Sequence, residues 1–434
     1  MRTKAEILNL IEEEDVELIR LQFTDMFGNL KNIAVTAEQA EHVLDHGVMF
    51  RGDAMFGECD YEREDLYLHP DWDTFLILPW RPQHGKIARF LCDIYHSDGS
   101  VYEWNPRRIL QRVINEAKAK KYTFQVDPGC EFFLFQTDEN GCPTTITYEN
   151  AGFMDVAPTD CGENARRELV MSLEEMGFHI ESLHHESEPS QHEIDLKADD
   201  PMKIADAIVT FKSAVRLIVK RFGLHATFMP KPRRDMAGSG MYLNISTYKE
   251  GENLFSLDSD SEVISEELNY FIGGIMKYAP EMCAVTNPLV NSYKRLMFEP
   301  DAPKELAWSQ KNVGAAVKVQ SRQGEDTRVC LKFPDPAANP YLALAVCIAA
   351  GVKGMEEKID VGLPKSECCE EGKNVKCLPG TLREAVLLMQ RSDFMKNVLG
   401  ESFVYMYTEA KLKEWDAYMA DISQWELTEY LNRI

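Results

Sequence analysis

Hydrophobic and polar positions alternate in short runs through the first hundred residues. VELIRLQFTD is followed by MFGN and LKNIAV, which predicts a hairpin that turns at Gly28-Asn29. DTFLILPW and KIARFLCDIY have the same strand-like pattern, and turn residues Ser97-Asp98-Gly99 end the second of them. We therefore predict a small N-terminal domain of strands over residues 14–99.

The pattern changes at Asn105-Pro106, where Asn can cap a helix and Pro suits its first turn. A helix is predicted through RRILQRVINEAKAK, and a larger α+β domain is predicted over residues 105–434. Its predicted strands are EFFLFQTD, HIESLHHESE, QHEIDLK, LHATFMP and GMYLNISTY. Helices are predicted over residues 164–176 and 201–222, and the last third is mostly helical around a polar loop over 363–379.

Composition narrows the class of protein. The net charge of −24 over 434 residues disfavours binding to nucleic acid or to an anionic membrane surface. No apolar run approaches the ~20 residues that a membrane span needs. The N-terminal MRTKAEILNLIEEEDVELIR lacks the layout of a signal peptide. We predict a cytoplasmic protein whose 11 cysteines are reduced and mostly buried.

Three common catalytic and nucleotide-binding signatures are absent from the sequence. It contains no GxxxxGK[ST] phosphate loop, no GxGxxG turn and no HExxH helix. A nucleotide, if one is used, must therefore bind on a different scaffold.

Two glutamates form the most informative local pattern. A turn centred on Pro189-Ser190 would place Glu186 directly opposite Glu193. Facing carboxylates are destabilising unless a cation lies between them or one is protonated. The alternative is a different register that leaves one of them in solvent. Glu131, next to an aromatic run, is a third candidate for a metal site or simply a glutamate at a strand edge.

Two further segments could contact a ligand. Residues 291–295, NSYKR, place two cations in a predicted loop, which suits an anion site or a solvated loop. The glycine-rich AGSGMY, residues 237–242, permits close approach of the backbone to a ligand.

In order along the chain, RLQFTDMFG, HHESEPSQHEID, GLHATFMPKP, GSGMY, AVTNPLVNSYKRL and DPAANPYLALAV resemble type I glutamine synthetases. The resemblance covers essentially the whole chain. It implies an N-terminal β-grasp domain and a larger catalytic domain, in which helices accompany an antiparallel sheet. It also implies a dodecamer of two stacked hexamers. The family reaction uses ATP to phosphorylate glutamate, ammonia then displaces the phosphate, and two divalent cations take part.

The resemblance also assigns roles to single residues. Glu131, Glu186 and Glu193 match the carboxylates of the first metal site, which would hold one Mg²⁺ or Mn²⁺. Arg295 matches a residue of catalysis and substrate binding, and Gly238 and Lys332 match residues that bind the substrate. The matches for nucleotide binding are Asn244, Ser246 and Arg328. Asp301 matches the catalytic acid of the flap, with a shorter side chain.

Other positions depart from the family pattern. Gly129, Tyr242 and Cys330 stand where the second metal site has its ligands, and none of the three suits Mg²⁺. Further replaced positions are Arg51-Gly52-Asp53-Ala54 in the ammonium motif, Val313, Lys318 and Lys332 at family arginines, and Ala237 before GSG.

These departures lead us to expect an impaired or non-catalytic homologue that binds glutamate or a similar small acid. Such a protein could regulate an active glutamine synthetase by co-assembly with it, and ATP binding is doubtful. The alternatives are an active ATP-dependent carboxylate–amine ligase, either glutamine synthetase or a γ-glutamyl-amine ligase, and a purely structural protein.

Overall fold

A computed structural model describes residues 2–57, 64–80, 84–256, 263–299, 302–303, 305–311, 314–321, 327–362, 364 and 377–434. The described strands are β1 (Val16–Thr24), β2 (Leu30–Thr36), β3 (Val48–Arg51), β4 (Asp65–Pro70), β5 (Leu76–Ile77), β6 (Lys86–His96), β7 (Tyr122–Thr137), β8 (Pro143–Thr147), β9 (Ile180–His185), β10 (Gln191–Leu196), β11 (Leu224–Thr227), β12 (Met241–Lys249), β13 (Glu252–Asn253), β14 (Trp308–Ser309), β15 (Val317–Gln320) and β16 (Arg328–Leu331).

The described helices are α1 (Lys4–Glu13), α2 (Ala40–His46), α3 (Pro106–Ala119), α4 (Glu163–Glu175), α5 (Pro201–Ile218), α6 (Glu266–Thr286), α7 (Val290–Phe298), α8 (Pro340–Glu357), α9 (Leu382–Arg391), α10 (Asp393–Leu399), α11 (Glu401–Ala420) and α12 (Gln424–Tyr430). Short 3₁₀ segments are Ala37–Gln39, Gly52–Met55, Trp72–Thr74 and Val219–Phe222. The predicted α+β class is confirmed.

The N-terminal sheet has the strand order β2–β1–β6–β4–β3, and β5 adds to β6. The predicted hairpin between β1 and β2 is confirmed, because Thr24 pairs with Leu30. Gly28 in its turn has φ +87°, and a Cβ there would lie 2.9 Å from the Cα of Asn339. Of DTFLILPW, only Leu76–Ile77 form a strand, β5, and the first two residues lie in the 3₁₀ segment Trp72–Thr74.

The larger sheet runs β14–β15–β16–β12–β7–β10–β9, and β8, β11 and β13 add to it. Alternation gives this sheet two different faces. The apolar face carries fully buried side chains of the central strands, such as Val126, Leu243, Ile245 and Val329, which join the main hydrophobic core with α5, α6 and α8. The polar face carries every candidate site residue on β7, β10, β12 and β16.

Two sequence predictions near the polar face were wrong. The β9–β10 hairpin pairs His185 with His192, so its loop is longer than the two residues predicted. A two-residue hairpin turn needs positive φ at its first position, and proline, the residue predicted there at Pro189, cannot adopt it. In the longer loop, Ser190 instead takes φ +66°.

The second error concerns residues 291–295, which lie in helix α7 and not in a loop. Neighbouring residues on a helix point about 100° apart. The two cations therefore separate: Lys294 lies over the ring of Tyr418, and Arg295 turns into the interior. No anion site is formed by this pair.

Two smaller observations complete the fold. Of the helices that the structure describes, none combines the length and the apolar character needed to cross a bilayer. Most of the predicted polar loop over 363–379 lies outside the described residues.

Candidate active site

Three adjacent strands bring acidic side chains together on the polar face. Glu193 of β10 pairs with Glu131 of β7 on one side and with His184 of β9 on the other. The directly facing carboxylates are thus Glu131 and Glu193, whereas the sequence suggested Glu186 and Glu193. Glu186 lies two residues beyond His184, diagonally across from Glu193, and still joins the cluster.

His184, Glu186 and Glu193 form a compact group whose possible ligand atoms lie within 4.8 Å of one another. His184 Nε2 is 3.0 Å from Glu186 Oε1 and 3.5 Å from Glu193 Oε2. Glu131 and Glu193 are buried, so water screens their mutual repulsion only weakly. Hereafter "the acidic half" means Glu131, His184, Glu186 and Glu193.

The pKa values in the acidic half reflect this crowding. Burial, followed by the charge of Glu186, raises the pKa of Glu131 to about 7. Burial and the charges of Glu131 and Asp195 hold the pKa of Glu193 well above its usual range. Burial also pushes the pKa of Glu186 upward, but hydrogen bonds from His184 and Ser187 outweigh it and lower that pKa.

This donor set fits a divalent cation. Three carboxylates and an imidazole supply the oxygen and nitrogen ligands that Mn²⁺ and Zn²⁺ accept, and Mg²⁺ would use the carboxylates. A bound cation would reduce the repulsion among Glu131, Glu186 and Glu193 that helps to raise the pKa values of Glu131 and Glu193.

The next row across the sheet contains Gly129. It pairs with Asp195 on β10 and with Tyr242 on β12. A Cβ at Gly129 would lie 2.3 Å from Glu193 Oε1 and 2.6 Å from Asp195 Oδ1, so these carboxylates fill the space that a side chain would need. The glycine therefore leaves room for the two acids of β10 above β7.

Tyr242 is tied to the acidic half. Its hydroxyl donates to Glu131 Oε1 at 2.7 Å, and the amide of Gly240 donates to Glu131 Oε2 at 2.6 Å. Burial and the charge of Glu131 hold the pKa of Tyr242 well above its usual range, so the phenol stays a neutral donor. Lys332 Nζ lies 5.3 Å from the centre of the Tyr242 ring.

Beyond Tyr242 the polar face becomes cationic. Lys318, Arg328 and Lys332, which we call the basic half, lie on β15 and at β16. Burial lowers the pKa of Lys332, and it raises the pKa of the neighbouring Cys330 thiol to about 11. Cys330 is therefore a neutral, buried thiol and not a thiolate.

The three predicted nucleotide residues share this part of the face, and each contacts a group of the protein. Arg328 forms an ion pair with Asp127. The Asn244 amide donates to the backbone oxygen of Asp127 at 2.9 Å, and the Ser246 hydroxyl donates to that of Thr327 at 3.3 Å.

The predicted substrate residues Arg295 and Gly238 lie beside the acidic half. The guanidinium of Arg295 donates to the backbone oxygens of Lys332, Phe333 and Pro334 at 3.1–3.2 Å. Gly238 has no room for a side chain, since a Cβ would lie 2.2 Å from the oxygen of Pro230. Its own oxygen accepts a hydrogen bond of 3.0 Å from Gln191.

Comparison with known proteins decides the family. The family model described as "Glutamine synthetase, catalytic domain" matches residues 103–430, and the one described as "Glutamine synthetase, beta-Grasp domain" matches residues 15–97. The chain belongs to the glutamine synthetase family. A protein named glutamine synthetase from Clostridium saccharobutylicum is 47% identical to it, over 99% of this chain and 99% of the relative. One of the same name from Staphylococcus aureus (strain Mu50 / ATCC 700699) is 43% identical, over 99% of this chain and 98% of the relative.

Solved structures of GmaS agree with this assignment. The ligand-free form aligns with a TM-score of 0.87 and the ADP complex with 0.88. Each is 27% identical to the chain, and each alignment covers 98% of this chain and 99% of the other. The expected fold, a β-grasp N-terminal domain followed by a larger glutamine synthetase catalytic domain, is confirmed.

Sequence reasoning missed two site residues of this glutamine synthetase homologue. His184 lies two positions before Glu186 and Asp127 two positions before Gly129, so strand alternation puts each on the polar face. That spacing could have placed both side chains on the polar face, but not their contacts across the strands. Asp301 and Val313 lie outside the described residues. Arg51 forms an exposed ion pair with Asp53 in its own domain.

Proposed function

We propose that this glutamine synthetase homologue binds glutamate or a similar small acid together with one divalent cation, and that ATP-dependent ligation is impaired. Glu131, Glu186 and Glu193, with His184, would hold the cation. When bound, the cation would neutralise these carboxylates and attract the carboxylate of the ligand.

The observation that carries this proposal is the composition of the rows beside Glu131. Gly129 has no ligand atom, Tyr242 is a neutral phenol that already donates to Glu131, and Cys330 is a neutral thiol. These three residues do not fit a second Mg²⁺ or Mn²⁺. A family reaction that needs two cations would therefore lack one of them.

The test begins with calorimetric titration of the full chain with Mn²⁺ and then with glutamate. We expect one cation per chain and glutamate binding that depends on it. A coupled assay of phosphate release with ATP, Mg²⁺, glutamate and ammonium follows, with the Clostridium saccharobutylicum protein as the positive control. Two cations per chain, or phosphate release at the rate of that control, would contradict the proposal.

The second candidate is an active ATP-dependent carboxylate–amine ligase, either a glutamine synthetase or a γ-glutamyl-amine ligase. Identity of 47% over nearly the full length to a protein named glutamine synthetase favours it, as does the similarity to an ADP-bound GmaS. The phosphate-release assay, repeated with methylamine and ethylamine in place of ammonium, separates the two candidates. Amine-dependent release would establish the ligase.

We also propose that the chain forms the dodecamer of stacked hexamers expected from the resemblance, and that it can co-assemble with an active glutamine synthetase in the cytoplasm. Exposed apolar residues at the C-terminal end support an assembly: Trp425, Leu431 and Ile434 are 56%, 72% and 100% exposed. Light scattering after gel filtration gives the mass of the assembly. Co-purification of a tagged synthetase with an untagged copy of this chain tests co-assembly.

A further inference from the structure

Asp127 places a carboxylate among the cations of the basic half. It pairs with Asn244 across β7 and β12, Asn244 pairs with Cys330, and Cys330 pairs with Lys318. Residues in one row across a sheet point to the same face. The side chain of Asp127 therefore lies on the polar face, on the same side of the sheet as Lys318 and Arg328, with β12 between β7 and β16.

The contacts of Asp127 and Arg328 are internal to the protein. The Arg328 guanidinium pairs with the Asp127 carboxylate through Nη1, and its Nε donates to Gln320 Oε1 at 3.1 Å. The side chains of Arg328 and Asp127 are only 11% and 7% exposed. Arg328 is thus held between two protein acceptors, and its charge is already neutralised at short range.

A purely structural role explains this pair less well. Strand β12 lies between β7 and β16, and backbone hydrogen bonds already join the three strands. A cross-strand ion pair is therefore not needed to hold them together. The pair has a larger effect on ligand binding than on strand association, because the buried carboxylate of Asp127 repels any phosphate that approaches Arg328.

We propose that Asp127 is the specificity-determining residue of the basic half: its carboxylate occupies Arg328 and excludes the di- or triphosphate of a nucleotide. The inference rests on the proposed function, in which the acidic half binds a small acid with one cation. It adds a reason why the basic half of the same polar face would exclude ATP.

The experiment is titration of the full chain with ADP and Mg²⁺ at low ionic strength, in the wild type and in Asp127→Asn. The substitution keeps the shape of the side chain and removes its charge. We expect ADP to bind at least about tenfold more tightly to Asp127→Asn, because one buried like charge next to the phosphates has gone. The double variant Asp127→Asn with Arg328→Gln should lose this gain.

Glu168→Gln is the matched control. Glu168 on α4 forms an exposed ion pair of 2.9 Å with Arg221 of the 3₁₀ segment Val219–Phe222. Its substitution therefore changes the net charge equally, but on a helix and not on the strands of the polar face. We expect ADP affinity in this control to match the wild type. An equal gain in Glu168→Gln would overturn the proposal, since net charge alone would then explain the effect.

Three further results would overturn it: tight ADP binding to the wild type, no gain in Asp127→Asn, or a gain that survives Arg328→Gln. If Asp127→Asn does not fold, Asp127→Ser provides the same test with a smaller neutral side chain. Titration of each preparation with Mn²⁺ and glutamate is scored separately. If the wild type binds neither Mn²⁺ nor glutamate, the proposed function is contradicted. The ADP titrations test only the role of Asp127.

Discussion

The acidic and basic halves of the polar face differ in how their charges are balanced. In the acidic half, Glu131 and Glu193 face each other, and no cationic side chain of the described residues forms an ion pair with Glu131. In the basic half, Arg328 already has a carboxylate partner in Asp127. Carboxylates that face each other are stabilised by an external cation, whereas Arg328 has its counter-ion within the protein. On the proposed function, a cation would therefore bind at the acidic half.

The largest effect is expected from a change that removes the charge excess of the acidic half. Glu193→Gln should weaken Mn²⁺ binding by about 100-fold, or about 2.7 kcal/mol, because a central ligand is lost. The same substitution should stabilise the metal-free protein, because the repulsion between Glu193 and Glu131 is removed. Calorimetry and urea unfolding measure the two effects, and Glu168→Gln is the control. An unchanged Mn²⁺ affinity would exclude Glu193 as a ligand.

Substitution of Arg295 tests whether this buried cation, which lies beside the two halves, stabilises the fold. Arg295→Met should lower the free energy of unfolding by about 2 kcal/mol, because three backbone oxygens lose their donor. Lys294→Met is the matched control, since Lys294 is the exposed neighbour on the same helix. Urea unfolding measures both variants. Equal stabilities would show that the Arg295 hydrogen bonds contribute little and would favour a role in ligand binding alone.

Tyr242 connects the two halves, so its hydroxyl should matter most when no cation is bound. Tyr242→Phe removes the donor to Glu131 and should destabilise the metal-free protein by about 1 kcal/mol. With Mn²⁺ present the loss should be smaller, because the cation can satisfy Glu131 instead. Thermal unfolding with and without Mn²⁺ measures the difference, and the exposed Tyr405→Phe is the control. A loss that Mn²⁺ does not reduce would place Glu131 outside the cation site.

The last prediction concerns the reactivity of Cys330 in the basic half, which should change neither stability nor cation binding. Because burial raises the pKa of its thiol to about 11, Cys330 is almost wholly protonated at pH 8. It should react with a thiol reagent at least about 100-fold more slowly than the exposed Cys142 and Cys161. Its thiolate fraction should rise as the pH approaches 11. Peptide mass spectrometry of the labelled native protein follows each site, and labelling of Cys330 as fast as Cys142 would contradict its burial.

Much of the fold could be predicted from local pattern. The β1–β2 hairpin, the start of α3 at Asn105 and the strands β6, β10 and β12 follow from alternation, capping and turn residues. The register between strands was harder to predict, because it depends on the length of the loop that joins them. The prediction for β9–β10 was wrong for this reason: it used a two-residue turn that Pro189 cannot make.

The sequence by itself determined which residues could form the site. Glu131, Glu186 and Glu193, the glycine at 129 and the thiol at 330 were all identifiable from motif and residue type. Tertiary structure alone decided which carboxylates face each other, that His184 joins them, and that Asp127 neutralises Arg328. The physical reason is that these contacts cross strands far apart in the chain, such as β7 and β16, and sheet order fixes them only when the whole domain folds.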